Sequence, residues 1–330
     1  MARAGKVLFI LLFLLSLGSC GGSKPPRRPL RIFAAACLNA ALSELEKSFE
    51  SEHRQTDVRV EVSGSLVAAR KVSEYKDIAD LVISADKRVI EELLIPQFAD
   101  WEIVFSSNEI VLAFSENSRH AAEVDSENWP RILLDPQVRV ARVDENLGPL
   151  GYQTLLVWKL ADVHYKDTLH GDGLFETLSK RVTRRMIRPD AAELLPTLGT
   201  EADYIFVYRS MAHDQNLKHV LLPPQVNLSS PAHADFYGTC SVAIFTAPGQ
   251  SLTLKGEPIL FALTIPREAP NHPAAVSFVQ ILLGPQGQAT LRRHGFSPLT
   301  PARFEGRWER LPKGLRDLVP EPPPEMEMHK

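Results

Sequence analysis

Three short loops in this chain are rich in small residues, and each feeds a helix. They run through Cys37 to Asn39, through Ser63-Gly64-Ser65, and through Leu150-Gly151-Tyr152. The first turn of a helix leaves four backbone N–H groups without intrahelical partners, and the helix dipole places partial positive charge there. Small side chains let a ligand approach the main chain closely. Several helix starts converging on one point bind a desolvated oxyanion without any cationic side chain. Such a cage of neutral dipoles buries no permanent counter-charge, so the ligand can leave again. Taken singly, each loop is also an ordinary strand-turn-helix corner.

Other chemistries lack their residues. No CxxC pair, HExxH or HxH occurs, and the 10 histidines are scattered. There is no GxxxxGK[ST] phosphate loop and no GxSxG elbow. His170-Gly171-Asp172-Gly173 lacks the third glycine of a dinucleotide loop and follows no clear strand. The basic run Lys180, Arg181, Arg184, Arg185, Arg188 reads as a solvated face. A formal net charge of −3 gives no bulk attraction to nucleic acid.

The elements that must position the three loops follow from periodicity. Leu30 to Ala36 reads as a strand, and Ala41, Leu42, Leu45 and Phe49 form one helical stripe after it. Val58 to Val62 alternates as a strand, followed by a helix carrying Leu66, Ala69, Val72 and Tyr75. Ile78 to Ser84 is apolar on both faces, as in a buried parallel strand. Asp86 then caps a helix over Lys87 to Leu94, and Asn108 to Phe114 is a further strand. The pattern restarts near Glu116: strand Val138–Val143, loop Asp144–Leu150, and a helix from Gly151. A short helix over Ala191–Leu198 is broken by Pro196, and strands follow at Asp203–Tyr208, Ser241–Phe245 and within Gly256–Ile265. Helices at Pro273–Leu283 and before Gly295 close the body. The tail, which ends in Glu321-Pro-Pro-Pro-Glu-Met-Glu-Met-His-Lys330, is expected to be disordered. With 330 residues, strands alternating with helices predict an α/β chain with mainly parallel sheets flanked by helices.

The N-terminus reads as a targeting segment. Arg3 and Lys6 precede an apolar run from Val7 to Leu17, too short to span a bilayer. Leu17-Gly18-Ser19-Cys20 resembles the bacterial lipobox, in which the cysteine becomes the lipidated mature N-terminus. Residues 1–19 are therefore expected to be a lipoprotein signal peptide, and residues 20–30 a tether to an extracytoplasmic membrane surface. Cys37 and Cys240 remain in the body, either paired or as two small buried residues.

The body resembles the molybdate/tungstate-binding proteins of ABC importers, which are type II periplasmic solute-binding proteins. The matching pieces include Phe33-Ala-Ala-Ala-Cys37-Leu38, Ser63-Gly64-Ser65, Ala79-Asp80 through Asp86, and Phe98-Ala-Asp-Trp101. They continue with Pro149-Leu150-Gly151-Tyr152, Asp203 through Ser210, and Thr264-Ile-Pro266, covering about Leu30 to Phe304. The resemblance implies two lobes joined by two crossover hinge strands, with lobe I at 31–111 and 243–310 and lobe II at 112–242, the composition marking 311–330 as the disordered tail. It implies no enzymatic activity and no cofactor. It implies molybdate or tungstate as ligand, permease and ATPase subunits as partners, and a monomer in the periplasm or on the outer face of the cell membrane.

Carried over residue by residue, the anion would meet Cys37, Ser65, Leu150, Gly151, Tyr152, Ala192 and Tyr208. Ser65 would give its hydroxyl and N–H, Leu150 and Ala192 backbone N–H groups, and Tyr208 its hydroxyl. Three positions depart from the family pattern. Cys37 stands where serine is usual, and a thiol is the weaker donor. Gly148 and Val207 stand where the archaeal-type branch has two metal-coordinating carboxylates, which favours a tetrahedral, hydrogen-bonded oxyanion. The same departures support an alternative, a sensor or a binder of another ligand on the same fold. A hydrolase built on Ser65 or Cys37 has no motif behind it.

Overall fold

The computed structural model describes residues 27–169, 173–247 and 249–322. The expected signal peptide, Cys20 and residues 20–26 of the expected tether lie outside the described residues.

The first lobe opens with β1 (Arg28–Ala35), a 3₁₀ turn at Ala36–Leu38 and α1 (Asn39–Glu52). β2 (Thr56–Ser63), α2 (Ser65–Ser73), β3 (Leu81–Ser84), α3 (Lys87–Leu93) and β4 (Trp101–Ser107) follow. The second lobe holds β5 (Ile110–Phe114), α4 (Trp129–Leu134), β6 (Val140–Val143), α5 (Pro149–His164), α6 (Lys166–Leu169) and α7 (Leu174–Arg181). It continues with β7 (Ile187–Arg188), α8 (Ala191–Leu194), β8 (Tyr204–Tyr208), α9 (Arg209–Asp214) and β9 (Lys218–Leu221). α10 (Ala234–Tyr237) and the hairpin β10 (Ser241–Ala247)–β11 (Gln250–Lys255) lead back. β12 (Leu260–Thr264), α11 (His272–Leu283), α12 (Pro285–Arg293), β13 (Ser297–Gly306) and α13 (Lys313–Arg316) complete the first lobe.

One sheet has the order β13-β4-β12-β3-β1-β2 and the other β7-β6-β8-β5-β9. β1 runs parallel to β2 and β3, which places the Cys37 and Ser65 loops at the same strand ends. The stripe Ala41, Leu42, Leu45, Phe49 is buried as its spacing predicts, because α1 covers this sheet. Trp129 and Trp158 meet Phe206 edge-on in the core of the second lobe.

The structure corrects four expectations. The sheets are mixed rather than mainly parallel: β12 runs antiparallel to β3 and β4, and β13 antiparallel to β4. The chain leaves the first lobe and re-enters it, so the returning strands arrive from the opposite end. Ile110 and Val111, assigned to lobe I, instead pair with β8 and β9 in the second sheet. β4 and β13 escaped the pattern reading altogether. β4 is buried almost throughout and shows no alternation, while Pro298 and Pro301 disguise β13, which occupies a sheet edge where proline is tolerated. The tail is not disordered through Glu321. Leu311, Leu315 and Val319 are buried, and Gln280 on α11 donates to the Gly314 carbonyl at 2.8 Å. Apolar side chains at four-residue spacing dock this segment, and only the last residues have the composition of a disordered tail.

The crossing segments meet at a hinge. Ile110 N–H donates to Asn227 O at 3.0 Å, and Ile259 N–H to Leu228 O at 2.8 Å. Asn227 Nδ2 donates to Glu109 Oε2 at 2.8 Å, so the two crossovers are tied to each other.

Candidate functional site

A small cavity of ≈ 30 Å³ lies between the lobes, where the helix starts converge. The first lobe contributes Ala35 to Cys37, Ser63 to Ser65 and Ala85; the second contributes Val143, Gly148 to Leu150, Asp190, Ala191 and Tyr208. None of these residues carries a cationic side chain. Larger pockets of ≈ 350 and ≈ 530 Å³ open elsewhere, on the far side of the first lobe around Arg267, and hold none of the expected anion ligands.

Four of the seven residues expected at the anion line this cavity: Cys37, Ser65, Leu150 and Tyr208. Ser65 is the first residue of α2 and is 1% exposed; its hydroxyl oxygen accepts the Ala85 N–H at 3.0 Å. That bond fixes the oxygen and leaves the hydroxyl proton to donate elsewhere. Cys37 lies in the 3₁₀ turn before α1 and is buried. Burial pushes its thiol well above the usual range, so it stays protonated at neutral pH. Cys37 and Cys240 are both free, which removes the disulfide alternative.

Three expected ligands do not line the cavity. Ala192 is exposed, and Asp190 and Ala191 take its place. Asp190 caps α8 by accepting the Glu193 N–H, so Ala191 is the first helical residue and the register moves by one. Gly151 N–H turns back to Gly148 O at 3.1 Å. Tyr152 is fully buried beneath the cavity, and its hydroxyl donates to Asp86 Oδ2 at 2.8 Å. Tyr208 does face the cavity, but its hydroxyl proton goes to Gln153 Oε1 at 2.7 Å.

These bonds reveal a network that crosses from lobe to lobe under the cavity. Asp86, the N-cap of α3, is 4% exposed and receives Arg88 Nη2 at 2.7 Å and Tyr152 Oη at 2.8 Å. Gln153 Nε2 reaches the same carboxylate at 3.4 Å, while Gln153 Oε1 takes the proton of Tyr208. Burial by itself would raise the Asp86 carboxyl, but the Arg88 guanidinium and the hydrogen bonds from Arg88 and Tyr152 hold it below its usual value. The sequence identified Asp86 as a cap only. Its second role depends on α5 lying across from α3, for which no local signal exists. A second tie joins the lobes at Arg70, which donates to Asn146 O at 3.3 Å and Phe245 O at 3.2 Å.

The cleft is closed to backbone contact. A Cβ placed on Gly64 would sit 2.2 Å from Leu147 O, and one on Gly148 would sit 3.3 Å from the Gly64 Cα. A side chain at position 148 would therefore press on Gly64 of the other lobe at this separation. Val207 is fully buried and does not line the cavity.

The basic run is largely the solvated face expected: Lys180, Arg184 and Arg185 are exposed. Lys180 pairs with Glu176, Arg188 with Glu201, and Arg181 donates to the last carbonyls of α4.

Residues 30–297 match the family of bacterial extracellular solute-binding proteins. An uncharacterised solute-binding protein of Petrotoga mobilis is 38% identical over 312 residues, covering 94% of this chain and 95% of the relative. The molybdate/tungstate-binding protein WtpA of Pyrococcus abyssi is 32% identical over 346 residues, covering 95% and 97%. Among solved structures, the periplasmic molybdate-binding protein of Azotobacter vinelandii superposes with a TM-score of 0.57 at 16% identity, covering 81% of this chain and 98% of that one. The sulfate-binding protein SubI of Mycobacterium tuberculosis also gives 0.57, at 17% identity and with 83% and 88% covered. Two sheets flanked by helices, joined at a hinge and closed over a small cavity, are the two-lobed type II periplasmic binding protein fold, and the chain belongs to the bacterial extracellular solute-binding protein family.

Proposed function

We propose that this protein captures a tetrahedral oxyanion of the molybdate/tungstate type between its lobes and delivers it to the permease and ATPase subunits of an ABC importer. The observation that carries this reading is the cavity at the helix starts, with Ser65 and backbone groups on its wall and no cationic side chain. α2 and α5 both begin there; the N–H groups at the start of α2 and that of Leu150 suit a dianion, while Pro149 has none and Gly151 N–H is held by Gly148 O. The names of relatives over 30% identical support the choice of ligand. Gly148 and Val207 offer the anion no carboxylate, which supports a tetrahedral, hydrogen-bonded anion over expanded metal coordination. The protein is a binding module with no chemistry of its own, working as a monomer held at the outer face of the membrane by lipid on Cys20. Membrane partition that disappears in Cys20→Ala supports the anchor; a wholly soluble wild type refutes it.

The test is native mass spectrometry and calorimetry of the purified mature chain with molybdate, tungstate and sulfate. One equivalent of molybdate or tungstate should bind, with compaction in small-angle scattering as the lobes close. Absence of uptake of all three would reject the reading.

Cys37 gives a finer test. Its thiol is protonated but is a weak donor, so Cys37→Ser should add a better hydrogen bond to a charged acceptor. Hydrogen bonds to charged groups contribute about 1.5–3 kcal/mol. A weak S–H contact is replaced rather than created, so the gain should be roughly tenfold in affinity by calorimetry. Bound anion should also protect wild-type Cys37 from alkylation. Equal affinities without protection would remove Cys37 from the site.

A further inference from the structure

A cluster of charged groups in the first lobe has no part in the cleft. Glu102 on β4 and Glu305 on β13 are directly opposed across an antiparallel pair, so their side chains share one face. α3 lies over that face and adds Lys87 and Glu91, one turn apart. Like charges directly opposed on a sheet are destabilising. Lys87 Nζ relieves part of this, reaching Glu91 Oε1 at 2.6 Å and Glu305 Oε2 at 2.8 Å. It does not satisfy Glu102, which is 0% exposed and whose two carboxylate oxygens have no hydrogen-bond partner among the described residues.

We propose that Glu91, Glu102 and Glu305 form a binding site for a hard divalent cation of about the size of calcium, which displaces the Lys87 ammonium to solvent. One oxygen from each carboxylate lies within 4.8 Å of the others. Three oxygens spaced evenly around a calcium ion stand about 4.0–4.5 Å apart, given bonds of about 2.3–2.6 Å, so this cluster admits it. With the Lys87 ammonium displaced, three ionised carboxylates around a dication leave one net negative charge, which the ammonium still offsets from the edge of the site. Glu102, buried and with both oxygens unpartnered among the described residues, offers the cation ligand atoms that nothing else satisfies. Glu91 and Glu305 are partly exposed, with side chains at 36% and 39%, and give the ion a way in.

The experiment titrates the purified chain with calcium chloride, and separately with manganese chloride followed by its electron paramagnetic resonance signal. Wild type should take up one equivalent and gain thermal stability. Glu102→Gln should weaken binding at least tenfold; Glu305→Gln, at a partly exposed position, provides the same reading if the buried substitution fails to fold. Lys87→Ala is the sharpest arm. It removes the competing ammonium, so cation affinity should rise several-fold, and calcium should restore whatever melting temperature the substitution loses. A cluster that serves only as an ion-pair network loses stability in Lys87→Ala with no rescue by calcium, and that result overturns the proposal. So does the absence of uptake by wild type at millimolar cation, or uptake that none of the three substitutions changes. Oxyanion affinity plays no part in this readout, so the two readings stand or fall separately.

Discussion

Gly64→Ala is expected to lower oxyanion affinity at least a hundredfold while leaving the protein folded. The added methyl would lie 2.2 Å from Leu147 O and 2.9 Å from Leu147 C, which belong to the opposite lobe. Both are backbone atoms, so no side-chain rotation relieves the overlap. The substitution is nevertheless compatible with the local chain: Gly64 has φ −61° and ψ 140°, where alanine is unstrained. Alanine is a poorer N-cap than glycine, but it also restricts the unfolded chain, and these small terms oppose one another. The methyl therefore acts against closure and not against folding. Apparent affinity falls in proportion to the fraction of molecules that can close, and about 2.7 kcal/mol against closure gives a hundredfold loss. Gly148→Ala is the internal control. Its methyl meets the Gly64 Cα at 3.3 Å, a contact that a shift of a few tenths of an ångström relieves, so the loss should be distinctly smaller. Calorimetry with molybdate and tungstate, alongside thermal melts, measures both effects. Unchanged affinity in Gly64→Ala would mean that the anion does not need this approach of the lobes.

Removing the Asp86 carboxylate should be the most damaging single change beneath the site. Asp86→Ala leaves the Arg88 guanidinium, whose side chain is 12% exposed, without its main partner, and takes from Tyr152 the acceptor of its proton. Breaking a buried ion pair by deleting one partner typically costs about 3–5 kcal/mol. Arg88 keeps its bond to the Lys255 carbonyl, so the lower end, about 3 kcal/mol, is expected. Because Tyr152 and Gln153 belong to the other lobe, part of the loss should fall on closure and appear as weaker anion binding. Asp86→Asn isolates the charge. The folded-state carboxyl of Asp86 is held below its usual value, so its stabilisation is present above the unfolded pKa, about 4. That stabilisation disappears as pH falls through the lower folded value. The wild-type melting temperature should therefore drop more steeply in acid than that of Asp86→Asn. Parallel pH profiles would remove the Asp86 charge from the account.

Local sequence determined the parts of this protein that local physics controls. The stripe Ala41–Leu42–Leu45–Phe49, the Asp86 cap and the small-residue loops at Cys37, Ser65 and Leu150 follow from periodicity, capping chemistry and side-chain size, and all three loops reach the cleft. Resemblance added the two-lobed arrangement, which periodicity could not supply. Tertiary structure decided the rest. Whether Ala191 or Ala192 faces the cavity depends on a one-residue choice of where α8 starts, and Asp190 makes that choice by capping. Whether Tyr208 offers its proton to a ligand depends on Gln153, 55 positions away in the chain. That Glu102 faces Glu305 follows from strand register between residues 203 positions apart, and no pattern within either strand encodes it. Backbone periodicity is a property of neighbours in sequence, while the donors and charges that shape a cleft are neighbours only in space. The packing of one lobe against the other therefore set which of the expected residues reach the cavity and which are turned to hold it shut.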